Sequence, residues 1–336
     1  MGDRIAVIGA GAWGTTLAVI LANGSNPVTL WAHSASIREE LAGHRENRRY
    51  LPGVTLPAAV AVAADTPDLA GPHRLVIVAV PSAHLREVAT LVATVLAGGI
   101  PVLSAVKGIE AESHLRMSEV IAQELPGRPI AVLSGPNLAR EIAAGKPAGT
   151  VVASADAALA VAIAGILGSP RLRVYTNPDV VGVELGGALK NVVALAAGMV
   201  DGLGLGDSAK AGIITRGLAE MTALGVAAGA NPLTFAGLAG VGDLIATCMS
   251  PLSRNHQAGE LIGTGVAPGD VEQRLPGIAE GIFTVRGALG LATSYDVELP
   301  IAAQVDAVVH AGRKPMDAVT ALMSREPKDE LANLPL

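Results

Sequence analysis

The tract Gly9-Ala-Gly11-Ala-Trp-Gly14 follows the β-branched run Arg4 to Ile8 and opens the apolar run Ala12 to Asn23. Three glycines at this spacing, between a strand and a helix, leave few folds open. The first permits a tight turn, the second lets backbone approach a pyrophosphate, and the third lets helix and strand pack closely. The helix N-terminus behind the turn offers N–H groups and the positive end of its dipole to phosphates. The expected unit is the first βα step of a Rossmann-type domain that binds a dinucleotide.

The rest of the first half repeats that rhythm. Pro27 to Trp31 reads as a strand and Ser34 to Ala42 as a helix, followed by a polar, basic stretch from His44 to Tyr50. Further strands are expected at Val60 to Ala63, Leu75 to Val80, Pro101 to Ser104, Ile130 to Ser134, Thr150 to Ala153 and Leu172 to Tyr175, with helices between. Leu75 to Val80 is a continuous apolar run, as in a strand covered on both faces. Strands alternating with helices argue for a mostly parallel sheet. From Pro178 the pattern becomes helical: Val180 to Val200, Ala209 to Ala228, Asn255 to Ile262, Ile282 to Tyr295, Pro300 to His310 and Met316 to Leu322. The fold class is therefore α/β, with a Rossmann-type domain over 1–178 and an all-helical domain over 179–336. The tail from Glu326 to Leu336 is polar and expected to be loose.

Composition narrows the function. A chain of 336 residues is long enough for two domains at roughly 100–200 residues each. Net charge is −6, which gives no support to nucleic acid or an anionic membrane as partner. An anionic ligand therefore needs a local concentration of positive charge. The single cysteine, Cys248, fits a reducing compartment, and neither it nor seven dispersed histidines suggest a metal site. Asp3 cancels Arg4 and the glycines interrupt the apolar stretch, so the start reads poorly as a signal peptide.

Several strand exits carry polar residues. Val80-Pro81-Ser82, Ser104-Ala-Val-Lys107-Gly108 and Ser134-Gly135-Pro136-Asn137 each follow an expected strand. Carboxyl ends of strands line the ligand crevice of an open sheet. A Rossmann domain commonly places a carboxylate about 20 residues past the glycine motif to hold the adenine ribose. Here the second strand ends Leu30-Trp31-Ala32-His33-Ser34, with no acid. That permits NADP, and His33, Arg38, Arg45, Arg48 and Arg49 offer positive charge nearby in sequence. NADPH is slightly favoured, with NAD kept open. In the helical half, Lys190 stands among apolar residues, one turn after Gly186-Gly187, which suggests space kept clear beside it. A lone lysine there either snorkels to solvent or works in a pocket. Asp243 lies in the glycine-rich Gly240-Val-Gly242-Asp243-Leu244, and Ser253-Arg254-Asn255 opens a helix, with Ser253 as its natural N-cap. Arg254 there would grip a phosphate together with the helix N-terminus.

Taken together, these segments resemble the NAD(P)-dependent glycerol-3-phosphate dehydrogenase family of bacterial type. The resemblance rests on GAGAWG (9–14), YLPG (50–53), KGIE (107–110), SGPNLARE (134–141), GGALKNVVA (186–194), ITRGLAEM (214–221), GVGDL (240–244), SRN (253–255), AEG (279–281) and ELPI (298–301). It implies a cytoplasmic enzyme, a homodimer, that interconverts dihydroxyacetone phosphate and sn-glycerol 3-phosphate for glycerophospholipid synthesis. It implies cofactor positions at Gly9, Gly11, Ala12, Trp13, Gly14, His33, Lys107, Ala139, Arg254, Ile278 and Glu280. Substrate positions would be Lys107, Gly135, Asn137, Lys190, Asp243, Ser253, Arg254 and Asn255, with Lys190 as proton acceptor. Ala12 and Asn137 depart from residues frequent in the family (serine, and serine or threonine). Burial and Lys107 would lower the Lys190 pKa, while Asp243 would raise it. Two other readings remain: another two-domain dehydrogenase acting on a 3-hydroxyacid or phosphogluconate, and a non-catalytic dinucleotide sensor.

Overall fold

In a computed structural model of the chain, residues 4–275, 277–327 and 329–330 are described. Lys328 and 331–336, within the tail expected to be loose, lie outside them. The described residues group into two compact units, 4–106 with 117–180, and 107–116 with the chain from 181 onward.

The first unit is built on eight strands: β1 (Arg4–Ile8), β2 (Val28–Trp31), β3 (Val60–Val62), β4 (His73–Val78), β5 (Val102–Ser104), β6 (Ile130–Ser134), β7 (Ala148–Ala153) and β8 (Leu172–Asn177). Their order across the sheet is β3-β2-β1-β4-β5-β6-β7-β8. Every neighbouring pair is parallel except β6 and β7. Six helices connect them: α1 (Ala12–Asn23), α2 (Ala35–His44), α3 (Leu85–Ala93), α4 (Met117–Glu124), α5 (Ala139–Ala143) and α6 (Ala157–Leu167). Strand β4 begins and ends two residues earlier than its apolar run suggests. Ala79 still donates from its N–H to Ile8 O at 2.8 Å before Pro81, which has no N–H, turns the chain away. The reversal at β6 follows from a connection whose helix, α5, is only five residues long. The sequence order reverses at β1, which lies between β2 and β4, and in open α/β sheets ligands bind at the strand ends beside such a point.

The second unit is helical: α7 (Val180–Gly202), α8 (Asp207–Ala227), α9 (Pro232–Phe235), α10 (Asp243–Met249), α11 (Arg254–Gly263), α12 (Val271–Arg274), α13 (Glu280–Ser294), α14 (Pro300–Ala311) and α15 (Pro315–Met323). Helix α7 is its axis. Every residue from Gly182 to Val200 is buried, so the helix is covered on all sides within this unit. The segment 107–116 packs in this unit although it lies between β5 and α4 in sequence. Arg116 Nη1 meets Glu184 Oε2 of α7 at 2.6 Å, and both side chains are largely buried. On α13, a Cβ added at Gly287 would lie 2.7 Å from Ile109 O.

Glycine sets how closely α7 and α11 approach. A Cβ at Gly198 would stand 2.0 Å from His256 O, and one at Gly202 would stand 2.3 Å from Glu260 O. From the other side, a Cβ at Gly259 would stand 2.1 Å from Leu195 O and one at Gly263 would stand 2.6 Å from Met199 O. Each helix contributes two glycines four residues apart, so they share one face, and no side chain fits between the backbones. Gly198→Ala forces the helices apart and is expected to cost about 2 kcal/mol, the usual range for overpacking. The shift in urea midpoint of the helical unit measures it.

Candidate active site

In the first unit the glycine turn has the geometry of a phosphate cradle. Gly9 has φ +110°, and a Cβ there would lie 2.5 Å from Ala79 O. A Cβ at Gly14 would lie 1.9 Å from Gly9 O, so these two positions are fixed by packing. Gly11 differs, because a Cβ there would meet nothing within 4 Å. It is the N-cap of α1, makes no side-chain cap, and no acidic residue stands in the first turn. The first N–H groups of a helix have no intrahelical acceptor, and here no carboxylate of the first turn competes for them. The cradle therefore fits the pyrophosphate of a dinucleotide. Ala12 and Trp13 form its half-exposed rim. Ala139 belongs to the same region, since Thr16 Oγ1 lies 2.8 Å from Ala12 O and 3.3 Å from Ala139 O.

His33 is exposed at the end of β2, edge-on to Trp31 with ring centroids 6.0 Å apart. Of the arginines near it in sequence, Arg38 is the one that reaches it. Arg38 Nη1 donates to Ala32 O at 2.7 Å and to His33 O at 2.8 Å. Arg45 donates instead to Pro57 O at 2.6 Å, Arg48 pairs with Glu46 at 3.5 Å, and Arg49 lies over the Tyr50 ring. At the end of β6, Gly135 has φ +140°, and a Cβ there would crowd Thr150 Cα at 3.1 Å. Asn137 accepts from Thr150 Oγ1 at 2.9 Å and so helps hold the β6–β7 reversal.

In the second unit three charged side chains converge. Lys107 Nζ donates to Asp243 Oδ2 at 2.6 Å, and Lys190 Nζ donates to Asp243 Oδ1 at 2.5 Å. Lys190 donates also to Thr247 Oγ1 at 2.6 Å, and Thr247 lies 3.2 Å from Asp243 Oδ1. Lys190 therefore does not snorkel to solvent: it is 6% exposed and Asp243 is 1% exposed. Asp243 opens α10, after a wide turn at Leu238–Gly242, and caps nothing with its side chain. Gly186 explains its placement, because a Cβ there would lie 2.5 Å from Ala239 O in that turn. The space beside Lys190 expected from the glycines is thus filled, at Gly186, by backbone that leads to Asp243. Burial, helped by the like charge of Lys107, lowers the Lys190 pKa to about 8 against the pull of Asp243. Burial alone would raise the Asp243 carboxyl, but the two ammonium groups outweigh it and hold the group below its ordinary value.

The Ser253-Arg254-Asn255 segment begins α11. Ser253 is the N-cap, its Oγ accepting from His256 N at 3.2 Å. Asn255 is buried and uses its amide within the protein. Its Nδ2 donates to Asn191 Oδ1 and its Oδ1 accepts from Gly281 N, both at 2.9 Å. Arg254 is exposed, and a Cβ at Gly277 would lie 3.0 Å from its Nη1. Ile278 follows one residue later, and Glu280 is the first residue of α13. Arg254 and the Gly277 stretch thus form one patch, while Asn255 ties that patch to Asn191, the neighbour of Lys190.

Sequence reading missed three residues. Thr247 is one turn past Asp243 on a helix that the glycines concealed. Asn191 adjoins Lys190, and only the fold shows that it grips Asn255. Asn47, in the polar stretch before Tyr50, is fully buried. Its Nδ2 donates to Ala10 O at 2.7 Å and to Thr15 Oγ1 at 2.8 Å, bracing the glycine turn. No periodicity marks it; a short amide within a charged stretch was the one available signal.

Comparison with known proteins agrees with this layout. The N-terminal model of the NAD-dependent glycerol-3-phosphate dehydrogenase family matches residues 4–160, and the C-terminal model matches 179–320. The chain is 47% identical over 333 residues to glycerol-3-phosphate dehydrogenase [NAD(P)+] of Desulfitobacterium hafniense, covering 99% of this chain and 94% of that one. It is 50% identical over 329 residues to the protein of the same name from Parafrankia sp., covering 97% and 98%. The crystal structure of glycerol-3-phosphate dehydrogenase from Coxiella burnetii superposes with a TM-score of 0.93 at 36% identity, covering 96% of this chain and 99% of that one. With both halves matched and these relatives aligned over nearly their whole length, the chain belongs to the NAD-dependent glycerol-3-phosphate dehydrogenase family.

Proposed function

We propose that this protein reversibly reduces dihydroxyacetone phosphate to sn-glycerol 3-phosphate with NADPH or NADH, and that Lys190 exchanges the proton with the C2 oxygen. The observation that carries the proposal is how Lys190 is held. An ammonium has three hydrogens. Asp243 and Thr247 take one each, which aims the side chain and leaves one for a substrate oxygen.

The glycine cradle with Ala12, Trp13 and Ala139 holds the dinucleotide pyrophosphate, and the acid-free end of β2 at His33 tolerates a 2′-phosphate. Gly135 and Asn137 are assigned to the substrate. When bound, the reduced nicotinamide ring supplies the hydride taken up at C2. Arg254 and the first N–H groups of α11 hold the phosphate ester, since guanidinium, N–H groups and helix dipole all attract an anion. In this arrangement Ser253 and Asn255 contribute through the backbone and by fixing the helix start. Lys107, Lys190 and Asp243 carry a net charge of +1, a local attraction within a chain of net charge −6. In reduction the Lys190 ammonium gives its proton to the C2 oxygen as negative charge develops there. In oxidation the neutral amine takes the hydroxyl proton. Asp243 must stay ionised throughout.

We also propose a cytoplasmic homodimer that acts in glycerophospholipid synthesis without membrane insertion or a nucleic-acid partner. Helix α7 is long and apolar enough to cross a membrane, but 89% of its most apolar window is buried inside the protein. The apolar span Pro232–Met249 is broken at Gly240, whose φ and ψ are not helical.

Addition of dihydroxyacetone phosphate to protein and NADPH should deplete NADPH absorbance, whereas 3-oxoacids should not. Lys190→Ala should lower kcat about 100-fold or more if the residue moves the proton, with NADPH binding retained by tryptophan fluorescence. Turnover near wild type in that variant removes Lys190 from the reaction. The lowered Lys190 pKa fixes the sign of the pH dependence. In oxidation kcat/KM should rise with pH and level off above about 8, as the amine becomes neutral. In reduction it should be level below about 8 and fall above it. Parallel profiles in the two directions would contradict the assignment. Sedimentation velocity at micromolar concentration should give twice the chain mass, and a monomer would refute the dimer.

A further inference from the structure

Beyond the proton-transfer cluster, the helical unit holds a second polar group, centred on a half-buried aspartate. Asp201, near the end of α7, accepts at Oδ2 from Lys210 Nζ at 2.5 Å and from His256 Nε2 at 2.7 Å. His256 is 6% exposed and Lys210 is 8% exposed. The chemistry fixes the ring's tautomer: an ionised carboxylate oxygen that already accepts from an ammonium can only accept again, so Nε2 carries a hydrogen. Burial works against the Asp201 charge, but the hydrogen bonds from Lys210 and His256 outweigh it and keep the carboxyl below its ordinary value.

His256 belongs to the first turn of α11, two residues past Arg254. Its own N–H donates to Ser253 Oγ, so the residue is anchored by backbone and by ring. Helices α7 and α11 are consequently joined at three levels. Asn191 and Asn255 join them beside Lys190, the glycine faces press together from Gly198 to Gly202, and Asp201, between those two glycines, holds His256. The glycine contact sets the spacing of the two backbones. The two hydrogen bonds, at Asn255 and His256 in the first turn of α11, oppose sliding and rotation, which a smooth glycine face resists poorly.

We propose that Asp201 and His256 are positioning residues for the substrate: they fix the start of α11, with Arg254 and its N–H groups, relative to the Lys190 amine. This rests on reading Arg254 as the phosphate grip. The phosphate and the reacting carbon belong to one small molecule, so a displacement of about 1 Å between grip and amine can cost on the order of 100-fold in rate. Lys210 keeps Asp201 charged and aimed, which leaves the His256 contact a strong, charge-assisted one.

The test compares His256→Gln, whose amide nitrogen retains a donor, with His256→Leu, which removes it, and runs Arg254→Ala and Asp201→Asn alongside. His256→Leu should raise KM for dihydroxyacetone phosphate about tenfold, leave KM for NADPH within about twofold, and lower kcat less than it raises KM. His256→Gln should recover most of that loss. Equal losses in Gln and Leu, or a matching rise in KM for NADPH, would show a merely structural role and overturn the proposal. If His256→Leu fails to fold, Asp201→Asn decides, and an unchanged KM for dihydroxyacetone phosphate in it refutes the positioning. Arg254→Ala separates the two readings. If it leaves that KM unchanged, the phosphate grip itself fails. If it raises KM while the His256 and Asp201 variants do not, only the positioning fails.

Discussion

Two ammonium groups share one buried carboxylate, and the chemistry of the helical unit depends on that arrangement. Asp243 alone would be driven towards its neutral form by burial, and Lys190 alone towards its free amine. Together with Lys107 they settle at a state in which the acid stays charged while Lys190 titrates at about 8. A group that must give a proton in one direction and take it back in the other works best when its pKa is near the working pH. The protein reaches that condition by combining desolvation with a like charge, and by using the opposite charge to aim the amine.

Glycine does different work in the two units. In the glycine turn it admits a left-handed backbone and leaves a space free of side chains. Along α7 and α11 it lets two backbones touch, so that Lys190 and Arg254, on separate helices, are held by main-chain contact. Because the second use places no side chain between the helices, polar pins at Asn191 and Asp201 can supply the registry that side-chain interdigitation usually gives.

Much of this was legible before the structure. The Gly9–Gly14 turn, the apolar strands and the helical second half follow from local pattern, and Ser253 announces itself as an N-cap. Lys190 stood out because a lysine amid apolar residues requires an explanation. Long-range contacts were illegible. Nothing near Gly240 shows that its turn leads into α10 and aims Asp243 at two lysines, since glycines break helical periodicity whether a helix follows or not. The space expected beside Gly186 is occupied by backbone that is remote in sequence. Asn47 acts on a turn nearly forty positions away. The antiparallel pairing of β6 and β7 also depends on where a short connection leads, which alternation of apolar residues does not encode.

The segment 107–116 has a consequence for how separable the two halves are. It leaves the α/β portion of the sequence to lend Lys107 to Asp243 and Arg116 to Glu184. A gene split at residue 178 would produce a helical fragment in which both buried acids had lost a counterion. Removing one partner from a buried pair typically costs about 3–5 kcal/mol, enough to consume much of a domain's stability. Recombination that exchanged dinucleotide domains at that junction would have to carry this ten-residue stretch along with the helices it serves.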